Sequence, residues 1–188
     1  MTQPLSIAVL VGSLRKESIS RKVAEAAARL SKGGFSYGIV EIGALPLFNQ
    51  DLEGGAEPAP WTEFRKTIRA SQGVLFVTPE YNRSVPGALK NALDVGSRPY
   101  GHSVWFGKPA GIISVSPGAL GAFGANHHLR QSLVFLNMPA LAQPEAYVGH
   151  AAQLVADDFS ITVEATRDFL RSFIAAFETW VRTLQPHA

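Results

Sequence analysis

The first third of the chain restricts its fold more than any other stretch. Residues 5–11 are almost continuously apolar, the pattern of a strand buried on both faces. The run stops at Gly12, and residues 18–30 then carry Ile19, Val23, Ala26, Ala27 and Leu30 at helical spacing. Gly33 and Gly34 end that pattern. A doubly buried strand followed at once by an amphipathic helix is the opening of a parallel sheet, because a crossover must carry the chain back before the next strand can run in the same direction.

The pattern recurs with no internal repeat and no linker. Residues 35–42 read as a weaker strand, and residues 45–60 as a long loop holding three prolines and a Gly-Gly pair. Residues 61–71 resume a helix, with Phe64, Ile68 and the stem of Arg65 near one face. Residues 73–78 and 110–115 are further buried strands, and residues 86–97 and 120–136 further helices, the first of them with proline in its opening turn. A fifth, poorly marked strand falls within residues 140–148. Residues 159–184 form a long amphipathic helix, with Val163, Leu170, Phe173, Phe177 and Val181 on one stripe. Five such units predict an α/β fold, a three-layer sandwich around five parallel strands in the flavodoxin-like order 2-1-3-4-5. A dinucleotide-binding sheet usually adds a sixth strand. Ligands of such sheets lie beyond the C-terminal strand edge, which selects residues 13–17, 79–85 and 114–124 as the loops that matter.

Composition narrows the chemistry. The 188 residues suit one domain over 1–188, with 46% hydrophobic and 17% charged residues. There is no cysteine, which removes disulfides, thiol nucleophiles, iron–sulfur clusters and cysteine zinc sites. Redox chemistry would therefore belong to a bound cofactor. A net charge of +2 without a long basic run gives no support for nucleic acid as a partner, and disfavours a strongly acidic electron carrier. The longest apolar runs are strand-sized, so no membrane partner is expected. With a strand starting at Leu5 there is no room for a signal peptide, and the expected location is cytoplasmic.

The first loop crowds Ser13, Ser18 and Ser20 around the cation of Arg15 at a strand-to-helix turn. Free N–H groups and the helix dipole favour a phosphate there, and hydroxyls and a guanidinium add donors. The turn is neither a P-loop nor a dinucleotide fingerprint. It suits the phosphate of a mononucleotide and points toward FMN; read alone, it is equally a serine-capped helix start. The second loop, Pro79-Glu80-Tyr81-Asn82-Arg83-Ser84-Val85-Pro86-Gly87, is stiffened by two prolines, and its Gly87 admits close approach. A rigid loop of this kind can direct N–H groups at an isoalloxazine ring, with Tyr81 against the ring or a partner subunit and Glu80 and Asn82 toward its pyrimidine side. In the third loop, Ser116 and Gly118 are either further ring contacts or a plain glycine-rich connection.

These segments, with residues 78–94 taken whole, resemble the NAD(P)H-dependent FMN reductase family, and within it the bacterial quinone and chromate reductases. Leu45-Pro-Leu-Phe48 and His128-Leu-Arg-Gln-Ser-Leu-Val-Phe-Leu136 fit the same family, so the resemblance spans nearly the whole chain. It implies bound FMN, NADH or NADPH as hydride donor, and a homodimer or homotetramer with each flavin near a subunit interface. By motif, Ser13, Arg15, Ser18 and Ser20 would hold the phosphate. Pro79, Glu80, Tyr81 and Asn82 would border the ring, with Ser116 and Gly118 near it. Some tetrameric members carry an arginine and a tyrosine that meet a glutamate across an interface. Here the matching positions are Gly124 and His127, with Glu145 retained, so that network cannot form in the same way.

Other candidates carry less. Adjacent His127 and His128 point about 100° apart on a helix, unlike a shared metal pair. Asp157 and Asp158 read as the start of the last helix. Lys90, Asn91 and Asp94 read as surface or interface. No G-x-S-x-G elbow accompanies Ser13 or Ser116, which argues against hydrolysis. Trp61, Trp105 and Trp180 are core or interface. The expected activity is hydride transfer from NAD(P)H to flavin N5 and on to a small-molecule electron acceptor (a quinone, free flavin, azo dye or metal oxyanion) by a ping-pong route. The alternatives are a flavodoxin-type electron carrier and a non-catalytic regulatory module on the same fold.

Overall fold

The computed structural model describes residues 3–55 and 57–185. Within them β1 (Leu5–Val11), β2 (Phe35–Ile39), β3 (Gly73–Thr78), β4 (Ala110–Val115) and β5 (Ala146–Val148) form one sheet in the order β2-β1-β3-β4-β5. Every pairing is parallel, as the sequence pattern predicts. The connecting helices are α1 (Ile19–Ala28), α2 (Ala59–Ala70), α3 (Gly87–Gly96), α4 (Phe123–Phe135) and α5 (Glu164–Thr183).

Strand alternation divides the core in two. Ile7, Val9 and Val11 of β1 pack with Val23 and Ala27 of α1 and with Phe173 and Phe177 of α5. Ala8 and Leu10 face the opposite layer, with Trp61, Phe64 and Ile68 of α2, Leu89 and Leu93 of α3, and Leu129 and Leu133 of α4. Successive side chains of a strand point to opposite faces, so a sheet covered on both sides needs the unbroken apolar runs seen in β3 and β4. Trp61 and Trp105 are fully buried, whereas Trp180 is half-buried and donates its indole N–H to the Pro139 carbonyl.

Several boundaries differ from the sequence reading. Helix α1 stops at Ala28, and β2 at Ile39, although the Val40 N–H still bonds to the Val9 carbonyl at 2.9 Å. Pro86 is the residue before α3 rather than inside its first turn. Helix α5 begins at Glu164, not at 159, because Asp157 and Asp158 serve a turn instead. Asp157 pairs with Lys22 at 2.6 Å, and Asp158 accepts the Ser160 N–H at 2.9 Å. Asn91 is not a surface residue. It is buried and holds the long loop against α3, accepting the Phe48 N–H at 2.8 Å and donating to the Leu45 and Pro46 carbonyls.

The same loop is tied at its far end by ion pairs. Arg98 grips Glu53 through two bonds of 2.9 and 2.8 Å, and buried Arg65 meets Glu57 at 2.7 Å. Near Arg98, the end of α3 is packed so closely that a Cβ at Gly96 would lie 2.4 Å from the buried Trp105 ring. A buried indole has nowhere to retreat. Gly96→Ala is therefore expected to lower stability by about 1–3 kcal/mol, read from the urea midpoint at unchanged slope.

Candidate functional site

All five strands end at the same edge, and three loops there build one site. The first leaves β1 through Gly12, whose N–H bonds to the Val77 carbonyl at 2.9 Å. A Cβ at Gly12 would lie 3.0 Å from Thr78 Oγ1 and 3.1 Å from Pro79 Cδ, so glycine lets the first and second loops touch. Ser18 is buried and caps α1, its Oγ accepting the Arg21 N–H at 3.1 Å. It fixes the start of α1. Ser20 is also buried but lines a cleft of about 230 Å³ together with Ser13, Arg15, Pro79, Glu80 and Ser116. The guanidinium of Arg15 makes no ion pair among the described residues.

The second loop turns through Tyr81-Asn82-Arg83-Ser84. Tyr81 and Ser84 exchange two backbone bonds of 3.0 Å, and Asn82 and Arg83 have φ of 51° and 64°. That is a two-residue hairpin of the I′ type, which needs the left-handed region at both central positions. Asn tolerates that region and Arg does not, so the turn stores strain at the ligand edge. Tyr81 is 44% exposed and lines both the first cleft and a second of about 350 Å³ with Gly12, Leu14, Arg15 and Gly87. A Cβ at Gly87 would meet nothing within 4 Å, so its approach face is open.

Glu80 does more than line the cleft. Its Oε2 accepts the Ala125 N–H at 3.0 Å, capping α4, whose preceding residue Ala122 offers no side-chain cap. Anions suit a helix N-terminus, and this one is supplied from another loop. His128 reinforces the link through a 3.0 Å contact between its Nδ1 and Ser84 Oγ. Gly124 permits the approach, since a Cβ there would fall 2.9 Å from Glu80 Oε2 and 3.0 Å from the Arg83 carbonyl oxygen.

The third loop is zipped to the segment after β5. Ser116 donates its N–H to Val148, His150 to Gly118, and Ala151 to Ser116, at 3.0 to 3.1 Å. Ser116 Oγ also accepts the Gly118 N–H at 3.0 Å. Thus Gly118 shapes the loop that carries Ser116. Gly118, Asn82 and Ser18 are the three proposed site residues that do not line the 230 Å³ cleft; the other seven do. Leu14, which lines the second cleft while 56% exposed, is a lining residue the motif reading missed. Its apolar side chain in a polar turn was the available signal.

Beside the site, His127 reaches Tyr147 within its own chain, Nε2 to hydroxyl at 3.1 Å. Burial, then the nearby Glu145 carboxylate, pushes the Tyr147 phenol up to about 12. Glu145 lies 3.7 Å from Arg130. The retained glutamate is thus engaged locally, and His127 and His128 face different partners. Among the described residues no group of three or more His, Asp or Glu side chains is arranged to hold a metal ion.

The sequence pattern of NADPH-dependent FMN reductase matches residues 5–153. The chain belongs to that family. A quinone reductase of Pseudomonas putida is 59% identical over 182 residues, covering 97% of each chain. A 2-hydroxy-1,4-benzoquinone reductase of a Burkholderia species is 45% identical over 95% of this chain and 97% of its own. Among solved structures, FerB, a flavoenzyme NAD(P)H:(acceptor) oxidoreductase from Paracoccus denitrificans, superposes with a TM-score of 0.90 at 41% identity, covering 95% of this chain and 98% of its own. The chain is accordingly an oxidoreductase, with FMN as cofactor and NAD(P)H as reductant. Its residues fit that cofactor: the serines Ser13 and Ser20 and Arg15, whose guanidinium has no ion-pair partner among the described residues, line one cleft beside the N-terminus of α1.

The Glu80–α4 contact leaves no space at position 124. Gly124→Ala is expected to cost about 1–3 kcal/mol of stability and to weaken FMN binding, checked by denaturation and by fluorescence titration of the flavin.

Proposed function

We propose that this chain reduces quinone-class acceptors with NADH or NADPH through bound FMN. The observation that carries the reading is the convergence of Ser13, Arg15, Ser20, Pro79, Tyr81 and Ser116 on one cleft at the C-terminal strand edge. When bound, FMN supplies the hydride chemistry, accepting from the nicotinamide and passing two electrons to the acceptor. Ser13 and Ser20 donate hydroxyl bonds to its phosphate, and Arg15 adds a charge-assisted one. Ser18 acts at one remove, by fixing where α1 begins.

Pro79, Tyr81 and Ser116 border the ring, and the I′ turn at Asn82 holds the second loop's N–H groups in fixed directions. Preorganised donors stabilise negative charge on a reduced ring without reorganising. Glu80 keeps that loop seated by capping α4. One open cleft serving donor and acceptor in turn predicts ping-pong kinetics. Free flavins, azo dyes and chromate-like oxyanions fit the same open space.

The likeness to quinone reductases at 59% and 45% identity supports the quinone class as acceptor. We further propose a single flavin-binding domain over 1–188, working in the cytoplasm as a homodimer or homotetramer. Exposed Tyr100, Phe106, Val134 and Phe135 supply apolar surface for such an assembly. Among the described residues no helix is long and apolar enough to cross a membrane.

Anaerobic mixing of the purified flavoprotein with NADH and with NADPH tests the reading. Bleaching of the flavin band, followed by recovery on adding benzoquinone, is expected; a band that neither donor bleaches overturns it. Arg15→Ala should weaken FMN binding by about 1.5–3 kcal/mol, measured by titration of the flavin-free protein.

A further inference from the structure

On the far side of the first loop from the 230 Å³ cleft lies a third cavity, of about 340 Å³, at the C-terminal ends of β1 and β2. Its polar wall comprises Ser13, Arg15, Arg21 and Glu41, and Leu14 and Ile42 give it an apolar side. Arg21 and Glu41 form an ion pair across it, and both are open to solvent, the side chains being 36% and 70% exposed. Arg15 lines this cavity and both clefts of the flavin site, so the three spaces adjoin one residue.

The pair has no evident structural duty. An exposed ion pair contributes little to stability, and neither partner caps a helix or bridges buried groups. It does have recognition chemistry. A carboxylate at the end of a strand accepts from ribose hydroxyls, and a guanidinium beside it donates to a phosphate dianion in a forked geometry. The two demands oppose each other, since a phosphate is drawn to Arg21 and repelled by Glu41.

We propose that this cavity receives the adenosine ribose of the nicotinamide donor and that the Arg21–Glu41 pair reads its 2′ position. The proposal rests on the NAD(P)H reductase reading and goes beyond it by naming the residues that weigh one donor against the other. With NADH, Glu41 accepts from the free 2′-hydroxyl while Arg21 stays paired. With NADPH, Arg21 leaves Glu41 for the 2′-phosphate. The resting pair holds the cavity between the two donors, so one chain accepts both.

The test uses the FMN-loaded protein and two substitutions of opposite sign. Arg21→Gln should raise the KM for NADPH about tenfold or more, the loss of one charge-assisted bond, and change that for NADH less than about twofold. Glu41→Gln should lower the KM for NADPH about two- to threefold by removing the competing carboxylate. Calorimetric titration with adenosine 2′,5′-bisphosphate and with 5′-AMP supplies a readout apart from turnover. The bisphosphate should bind more tightly to the unsubstituted protein, and Arg21→Gln should abolish the difference. Equal effects on both donors, no preference for the bisphosphate, or loss of FMN from Arg21→Gln would each overturn the proposal, the last by assigning the cavity to the flavin. The titration reads binding without hydride transfer, so it decides the matter even in a protein that reduces no flavin.

Discussion

Parallel pairing is the constraint from which the rest follows. Five strands running one way deliver their C-terminal ends to a single edge, and each loop that leaves that edge must start a crossover. Backbone donors at the helix starts are then left without partners inside their own helices. The chain answers this need differently at each loop. Ser18 caps α1 from its own sequence, Glu80 caps α4 from a neighbouring loop, and the third loop is laced to the segment beyond β5. Ser13, Arg15 and Ser20 are left lining the cleft between the loops.

The Glu80 contact explains a divergence that motif comparison leaves unaccounted for. Where some tetrameric relatives have an arginine, this chain has Gly124, and the carboxylate of Glu80 occupies the space a side chain would need. Glu145 and His127, the other members of that comparison, are drawn into contacts with Arg130 and Tyr147 of the same chain. Gly124 thus lets the second loop couple to α4, while Glu145 and His127 tie α4 to the segment at β5.

Strand order, layer assignment and the site edge were legible in the sequence because they rest on periodicity. A run such as Val74-Leu75-Phe76-Val77 can only be a strand covered on both faces. Contacts between residues distant in sequence were not legible. Asn91 reads as polar helix surface until the long loop is seen folded against it. Asp157 and Asp158 carry the charge of a helix start, yet Lys22 and Ser160 claim them first. The site behaved likewise: residue types singled out Ser13, Arg15 and Ser20, which line one cleft, while the division of labour between Ser18 as cap and Ser20 as cleft wall depends on backbone direction.

The arginine clasps on the long loop give the molecule a fringe that can part from it independently. Glu53 and Glu57 fasten that segment through charge, while the sheet beneath is held by apolar contact. Hydrogen bonding to Arg98 holds the Glu53 carboxyl below the usual carboxylate range. That clasp therefore acts in full above the ordinary carboxylate pKa and is lost as pH falls through the lower folded value. Acid or concentrated salt should unpick this hem around Glu53 and Glu57 while the central strands stay closed and the Asn91 bonds keep Leu45 and Phe48 seated.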